Sequence, residues 1–296
     1  MTLTEHRVRL PLRTPLGGLP YRDVVLVEGP SGWGEISLLP GYPCDPVRAR
    51  AAAEEAACGC WPPAVRTTVP VNGIVPLVGP DEAAALAAGA RAAGITTVKV
   101  KVGDRGDVDR VAAVRDALGP HGAIRVDANG AWDVDTAVAT IARLAPYGLE
   151  LVEQPVASMD DLALVRRRLR GTVAVAADEC VRSVDDARRL RRLEGADVLV
   201  LKVQPLGGVA AALAVAEAAG LPALVSSMFE SSVGLAAGVA LAAALPDLAY
   251  ACGLGSAGLL AADVVADPLE PVGGVLPVRR VVPDPSLLAR FAWDPS

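Results

Sequence analysis

Short apolar runs return along this chain about every 25 residues, and that repeat leaves few folds open to it. Seven runs stand out: Thr96–Val102, Ala123–Asn129, Leu149–Pro155, Val173–Glu179, Asp197–Val203, Pro222–Met228 and Tyr250–Leu254. The residues that end or interrupt them are Lys101, Asp127, Glu153, Asp178, Lys202, Ser226 and Cys252, spaced by 26, 26, 25, 24, 24 and 26 residues. Between them lie stretches with helical periodicity: Asp107–Leu118, Val134–Leu144, Met159–Leu169, Val184–Leu193, Gly208–Ala219 and Ser232–Ala244. Asp133, Ser158 and Ser183 stand where N-caps belong. A strand and a helix repeated at this period make stacked βα units. Parallel neighbours need a long crossover, which the helices supply. Strands apolar on both faces suit a sheet covered by helices. An earlier strand near Val69–Ile74, with its helix at Asp81–Ala93, brings the count to eight, the number that closes a barrel. The fold class expected is α/β, a (β/α) barrel of modified TIM type over residues 68–269.

Residues 1–67 follow another pattern. Arg7–Leu12 and Asp23–Glu28 alternate, Gly32-Trp33-Gly34-Glu35 opens another short strand, and Pro46–Cys58 has a helical pattern. This predicts a small α+β capping domain that begins with antiparallel strands. The Gly- and Pro-rich segments Arg13–Pro20 and Ser37–Pro46 are expected as loops between its elements. The Pro-rich segment from 270 to 296 has no strong periodicity and is expected to return to the cap.

Composition narrows the function classes. A net charge of −6 gives no global attraction to nucleic acid or an anionic membrane. The longest apolar stretch, Val233–Pro246, is too short to span a bilayer and is expected as a buried helix. The N-terminus shows no basic segment before an apolar core, so no secretory signal is visible. Five irregularly spaced cysteines argue against a disulfide framework or a zinc site, and reduced thiols in a cytoplasmic protein are expected. With only His6 and His121, an imidazole triad or a zinc hydrolase is disfavoured.

The basic residues carry a sharper signal. Of 28, only Lys99, Lys101 and Lys202 are lysine, and all three lie in apolar, β-branched runs. Arginine stays protonated, whereas a desolvated lysine can exchange its proton. Codon bias accounts for scarce lysine but not for its placement. Asp127, Glu153 and Asp178 end three successive strands, where barrel active sites are built. Helix capping would explain one such carboxylate; three in succession, without His or Cys among them, suit a hard divalent cation, Mg²⁺ first and Mn²⁺ as the alternative. Lys99 and Lys101 share a face of one strand, and Lys202 follows the Asp178 strand, so lysines should flank the cation. Nearby cations lower an amine's pKa towards a useful base. The cation would bind a substrate carboxylate and stabilise the enediolate left by loss of its α-proton. Asn129, Glu179 and Gln204 are expected to orient ligands and lysines. Arg125 faces the same way as Asp127, towards a second substrate carboxylate or an ion pair at the barrel mouth.

Lys99-Val-Lys101, Asp127-Ala-Asn129, Glu153-Gln-Pro155, Asp178-Glu179 and Leu201-Lys202, in this order and spacing, resemble the enolase superfamily and, within it, the muconate-lactonising-enzyme subgroup. The resemblance extends over nearly the whole chain and includes Gly32–Glu35 and Ser226–Gly234. It implies a metal-dependent lyase. Within the subgroup the chain looks most like the compact form of the menaquinone-pathway dehydratase, acting on a succinyl-bearing cyclohexadiene carboxylate. By this resemblance Lys101 removes the α-proton and then releases water, Lys202 stabilises the charge from the opposite side, and Asp127, Glu153 and Asp178 hold Mg²⁺. Ser226, Ser227 and the Gly253-Leu254-Gly255 stretch would lie near the succinyl arm. Cys180 departs from the serine that many relatives carry after the Asp-Glu pair, and supplies no ligand.

The alternatives within the subgroup are a racemase or epimerase of N-acylamino acids or dipeptides, and a muconate-type cycloisomerase, both using the same metal and lysines. A nucleic-acid-binding reading rests on Arg166–Arg170 and Arg188–Arg192, on outer helices. Net acidity and only six Phe and Tyr residues oppose it. The partner expected is a small carboxylate, with neither nucleic acid nor membrane. No heptads or isolated apolar stripe point to an oligomer, and a monomer is the simpler expectation.

Overall fold

The computed structural model describes residues 2–16 and 18–294. Strands β1 (Thr4–Leu16), β2 (Leu19–Gly29) and β3 (Gly32–Ile36) form an antiparallel sheet in that order. The Arg13–Pro20 segment, expected as a loop, is therefore largely strand; Gly17 and the side chains of residues 14–16 lie outside the described residues. Alternation along β1 and β2 buries Val8, Leu10, Val24 and Leu26 on one face. Helix α1 (Pro46–Ala57) covers the sheet. It starts at Asp45, whose carboxylate accepts from the Val47 N–H, with Pro46 at its first position. Its buried face is alanine, which lets it approach β3 closely. A Cβ on Gly34 would stand 2.0 Å from the Ala53 carbonyl oxygen, so only glycine allows this contact.

The chain then follows the 25-residue period. After β4 (Thr68–Pro70) come β5 (Gly73–Val75), α2 (Pro80–Ala92), β6 (Thr97–Lys101), α3 (Asp107–Leu118), β7 (Ala123–Asp127), α4 (Val134–Leu144), β8 (Leu149–Glu153), α5 (Met159–Leu169), β9 (Ala174–Ala177), α6 (Val184–Leu193), β10 (Val198–Leu201), α7 (Val203–Leu206), α8 (Val209–Ala219), β11 (Ala223–Val225) and α9 (Ser232–Ala244). Seven strands, β5 to β11, pair in parallel and in sequence order. Asp133, Ser158 and Ser183 each cap a helix, accepting from the N–H three residues on. Helix α9, the long apolar stretch, is buried almost all round. No helix among the described residues is long and apolar enough to cross a membrane.

The eight expected strands are realised unevenly. The run Val69–Ile74 is not one strand: β4 pairs antiparallel with β12 (Val275–Pro277), and β5 pairs parallel with β6. Pro70, with no N–H to give a ladder, ends β4. The last run contributes Cys252 and Gly253. Cys252 donates its N–H to the Pro70 carbonyl at 2.7 Å and accepts from the Asn72 N–H at 2.9 Å. Gly253 donates to the Val225 carbonyl at 2.8 Å and accepts from the Ser227 N–H at 3.0 Å. These two residues link the β11 edge to the segment Pro70–Asn72 that leads into β5, and so curl the seven-stranded sheet towards closure. Leu151, Ala176, Val198, Val200 and Leu224 fill the inside, while a larger cluster packs the strands against the outer helices. The C-terminal segment holds more structure than its sequence suggests. Besides β12 it forms α10 (Pro285–Phe291), which lies against β1, and the Trp293 N–H donates to the Arg7 carbonyl at 3.0 Å.

Candidate active site

Strand periodicity places the polar groups. Lys101, Asp127 and Glu153 stand in one row across β6, β7 and β8, at the strands' C-terminal ends. Asp178 directly follows β9 and Lys202 directly follows β10. Lys99 lies one layer below Lys101 and donates to Asp127 Oδ2 at 3.0 Å and Glu153 Oε1 at 2.9 Å. Lys101 Nζ donates to Asp127 Oδ2 at 2.7 Å and Asn129 Oδ1 at 2.6 Å. Lys202 Nζ donates to Asp178 Oδ2. The two outer lysines thus approach the carboxylate trio from opposite flanks, with β7, β8 and β9 between their strands. Asn129 also donates to Glu179 Oε1 at 2.8 Å. All of these except Glu153 and Asp178 border a cavity of about 380 Å³, as do Ser226, Ser227 and Gly253.

The three carboxylates are buried, and their charge balance shows what the site would accept. Burial and then Asp127 push the Glu153 carboxyl up to about 7, against the pull of Lys99. The Asp178 carboxyl is also raised, by burial first, whereas Lys99 and Lys101 outweigh burial at Asp127 and hold it low. Burial works against the charge on Lys99 and Lys202, but the carboxylates facing them outweigh it and raise both amines. Among this chain's own groups, the carboxylates act on these two lysines more strongly than the neighbouring lysines do. Glu153 Oε2 is buried with no hydrogen-bond partner, a costly state unless something positive meets it. An all-oxygen donor set with one orphaned buried carboxylate oxygen fits a hard divalent cation. Among the described residues no three candidate ligands are gathered tightly enough to chelate an ion as they stand, since the lysines draw Asp127 and Asp178 to themselves. Burial pushes the Cys180 thiol up to about 12, which keeps it protonated and unlike a ligand.

Three sequence expectations are corrected. Arg125 faces inward, one layer below Asp127 and away from the cavity, so of its two expected roles it takes the ion pair and not the substrate carboxylate, and takes it below the mouth. A register shift between Ile124 and Arg125 brings Glu150 to its Nε, Nη1 donates to the Ala251 carbonyl at 2.6 Å, and the Tyr250 ring lies 5.5 Å away. Two residues along a strand separate the layers by about 7 Å, so Arg125 plugs the barrel interior. Position 254 is a fully buried leucine packed towards Gly238, and it is Gly253 that borders the cavity. Gln204 touches neither lysine nor carboxylate of the trio. It donates from Nε2 to Ser37 Oγ at 2.8 Å and accepts from the Ser37 N–H at 2.9 Å, tying barrel to cap.

Sequence reasoning passed over Tyr42 and Gln154. The Tyr42 hydroxyl, brought in by the cap, donates to Asp178 Oδ1 at 2.7 Å, and its ring faces Lys202 Nζ at 4.0 Å. Gln154, at φ +37, accepts from the Asp178 N–H at 2.8 Å. Its place in Glu153-Gln154-Pro155 was the available signal; Tyr42 had none.

The cap also delivers Glu35 to the start of α9. There it accepts from the Ser231 N–H at 3.1 Å, the Gly234 N–H at 3.0 Å and the Ser231 hydroxyl. Burial, only partly offset by these donors, pushes this carboxyl up to about 7. A carboxyl raised in the fold contributes stability that is complete below its unfolded value of 4.5 and lost as pH climbs through about 7. Glu35→Gln removes the ionisation. The stability of this variant relative to the parent should therefore be higher at about pH 8 than at about pH 5, read from urea midpoints. A relative stability that does not change with pH would refute the raised carboxyl.

Residues 82–283 match the family described as "Enolase C-terminal domain-like", and residues 7–57 match "Enolase N-terminal domain-like". The chain belongs to the enolase superfamily, whose members generally use a divalent metal. Among curated relatives it is 56% identical to the o-succinylbenzoate synthase of Thermobifida fusca, over 99% of this chain and 93% of that protein. It is 47% identical to the enzyme of the same name from Mycobacterium marinum, over 98% of this chain and 88% of the relative. Among solved structures, an N-succinyl Arg/Lys racemase from Bacillus cereus superposes with a TM-score of 0.88 at 22% identity, covering 99% of this chain and 98% of that one. That likeness shows the fold alone.

Proposed function

We propose that the chain is an o-succinylbenzoate synthase, a metal-dependent carbon–oxygen lyase. It removes the α-proton of a succinyl-bearing cyclohexadiene carboxylate and then expels water, giving o-succinylbenzoate for menaquinone biosynthesis. What carries the reading is one observation: two lysines on opposite flanks of three buried strand-end carboxylates, in a chain 56% identical to an enzyme of that name. The runner-up readings, racemase or cycloisomerase, have only distant fold likeness behind them.

Asp127, Glu153 and Asp178 would hold Mg²⁺, which when bound neutralises the substrate carboxylate and the charge that develops on it. Lys101, partly exposed to the cavity, takes the α-proton and returns it to the departing hydroxyl. Lys202, buried between Asp178 and the Tyr42 ring, presents a fixed positive charge on the other face. Lys99 holds Asp127 and Glu153 in place, and Asn129 and Glu179 orient Lys101. Ser226 and Ser227 face the succinyl arm. In this reading residues 1–67, joined by 270–296, act as the cap on the 68–269 barrel. The cysteines, all free, suit a reducing cytoplasm.

The direct test supplies purified, Mg²⁺-loaded protein with the cyclohexadiene substrate and, separately, with N-succinyl amino acids. Formation of the aromatic product, followed by absorbance, is the expected result. Exchange of the α-proton of N-succinyl amino acids with no dehydration would overturn the reading in favour of a racemase.

A further inference from the structure

Arg22, on β2 of the cap, is 2% exposed, yet its four hydrogen bonds among the described residues all end on main-chain carbonyls. Nη2 donates to Ser37 at 2.8 Å and to Met228 at 3.1 Å, Nη1 to Leu38 at 3.1 Å, and Nε to Phe229 at 3.2 Å. These carbonyls belong to two walls of the active-site cavity. Ser37 and Leu38 lead into the Leu39–Tyr42 wall supplied by the cap, and Met228 and Phe229 end the Ser226–Phe229 wall supplied by the barrel. One side chain thus spans both walls without touching the cavity. A guanidinium suits the task, because its donors are fixed in a plane and point in several directions; an ammonium concentrates three donors at one point. A buried charge needs such bonds to persist: burial pulls the Arg22 guanidinium below its usual pKa, and Glu35 and Glu230 only partly oppose that through space. Phe229 sits at φ +59, a conformation that a bulky residue adopts only under constraint, and Arg22 grips its carbonyl.

We propose that Arg22 is a positioning residue that sets the separation of the two cavity walls and so governs how firmly substrate is held. The effect on catalysis rests on the dehydratase reading; the wall-setting itself does not. Lysine at this position cannot reproduce the fork, so Arg22→Lys in the full, Mg²⁺-loaded chain should raise KM about tenfold while kcat changes by less than about threefold. The dissociation constant of o-succinylbenzoate, taken by calorimetry, should rise by the same factor. Amide hydrogen exchange should quicken at residues 37–42 and 226–229 together and stay unchanged in the rest of the barrel. Arg22→Met should show the same pattern more strongly; if it fails to fold, the lysine variant decides. KM and product affinity at parental values alongside a lowered Tm would reduce Arg22 to a stabilising contact and overturn the proposal. So would faster exchange in one wall only. Should the parent enzyme itself fail to dehydrate the substrate, the functional reading falls, and the exchange pattern still settles whether Arg22 joins the walls.

Discussion

Replacing Lys101 with arginine should lower turnover by about three orders of magnitude and leave the fold intact. Lys101 is the most exposed of the three lysines that border the cavity, and its Nζ is held by Asp127 and Asn129. In the proposed reaction the same amine first accepts the α-proton and then protonates the leaving hydroxyl, so losing it removes both halves of the acid–base chemistry. Arginine keeps the charge and much of the reach but stays protonated at neutral pH, which separates proton transfer from simple electrostatics. The side chain is partly exposed, so the exchange needs little repacking. Measuring kcat alongside thermal unfolding gives the answer. Turnover within about tenfold of the parent would show that another group is the base.

Removing divalent metal with excess chelator should abolish turnover, and Mg²⁺ should restore it. The structural basis is the orphaned Glu153 Oε2 beside two further buried carboxylates. Burial raises the Glu153 carboxyl even with Lys99 beside it. Glu153→Gln keeps the shape and removes a charge. Its Mg²⁺ affinity, read by calorimetry in the absence of substrate, should fall by more than about a hundredfold, because losing a ligand costs more than losing a supporting contact. Undiminished activity in chelator, or unchanged Mg²⁺ affinity in the variant, would take the metal out of the mechanism.

How much of this was legible depended on distance along the chain. The barrel helices fall where apolar periodicity places them, because a helix that packs on a sheet must turn an apolar face to it every 3.6 residues. The carboxylates at the ends of β7, β8 and β9 were equally visible, since the βα repeat carries each strand end to the same rim. Arg125 misled because strand period gives its face and its layer but not its partners; Glu150, placed by a bulge in β8, and the Ala251 carbonyl take up its guanidinium. Gln204 misled because two residues from Lys202 counts as near only along the chain, while its partner Ser37 comes from the cap.

The amino-acid order alone determined the repeating βα architecture, the row of acidic strand ends and the three lysines among them, because each follows from local period and residue chemistry. Tertiary structure alone decided what the cap brings to that rim: Tyr42 against Asp178 and Lys202, Glu35 against Ser231, and Arg22 across the two cavity walls. Apart from Arg22 with its neighbour Ser37 inside the cap, those contacts join residues more than a hundred positions apart. They depend on how two separately folded surfaces meet, and no spacing within either surface encodes that.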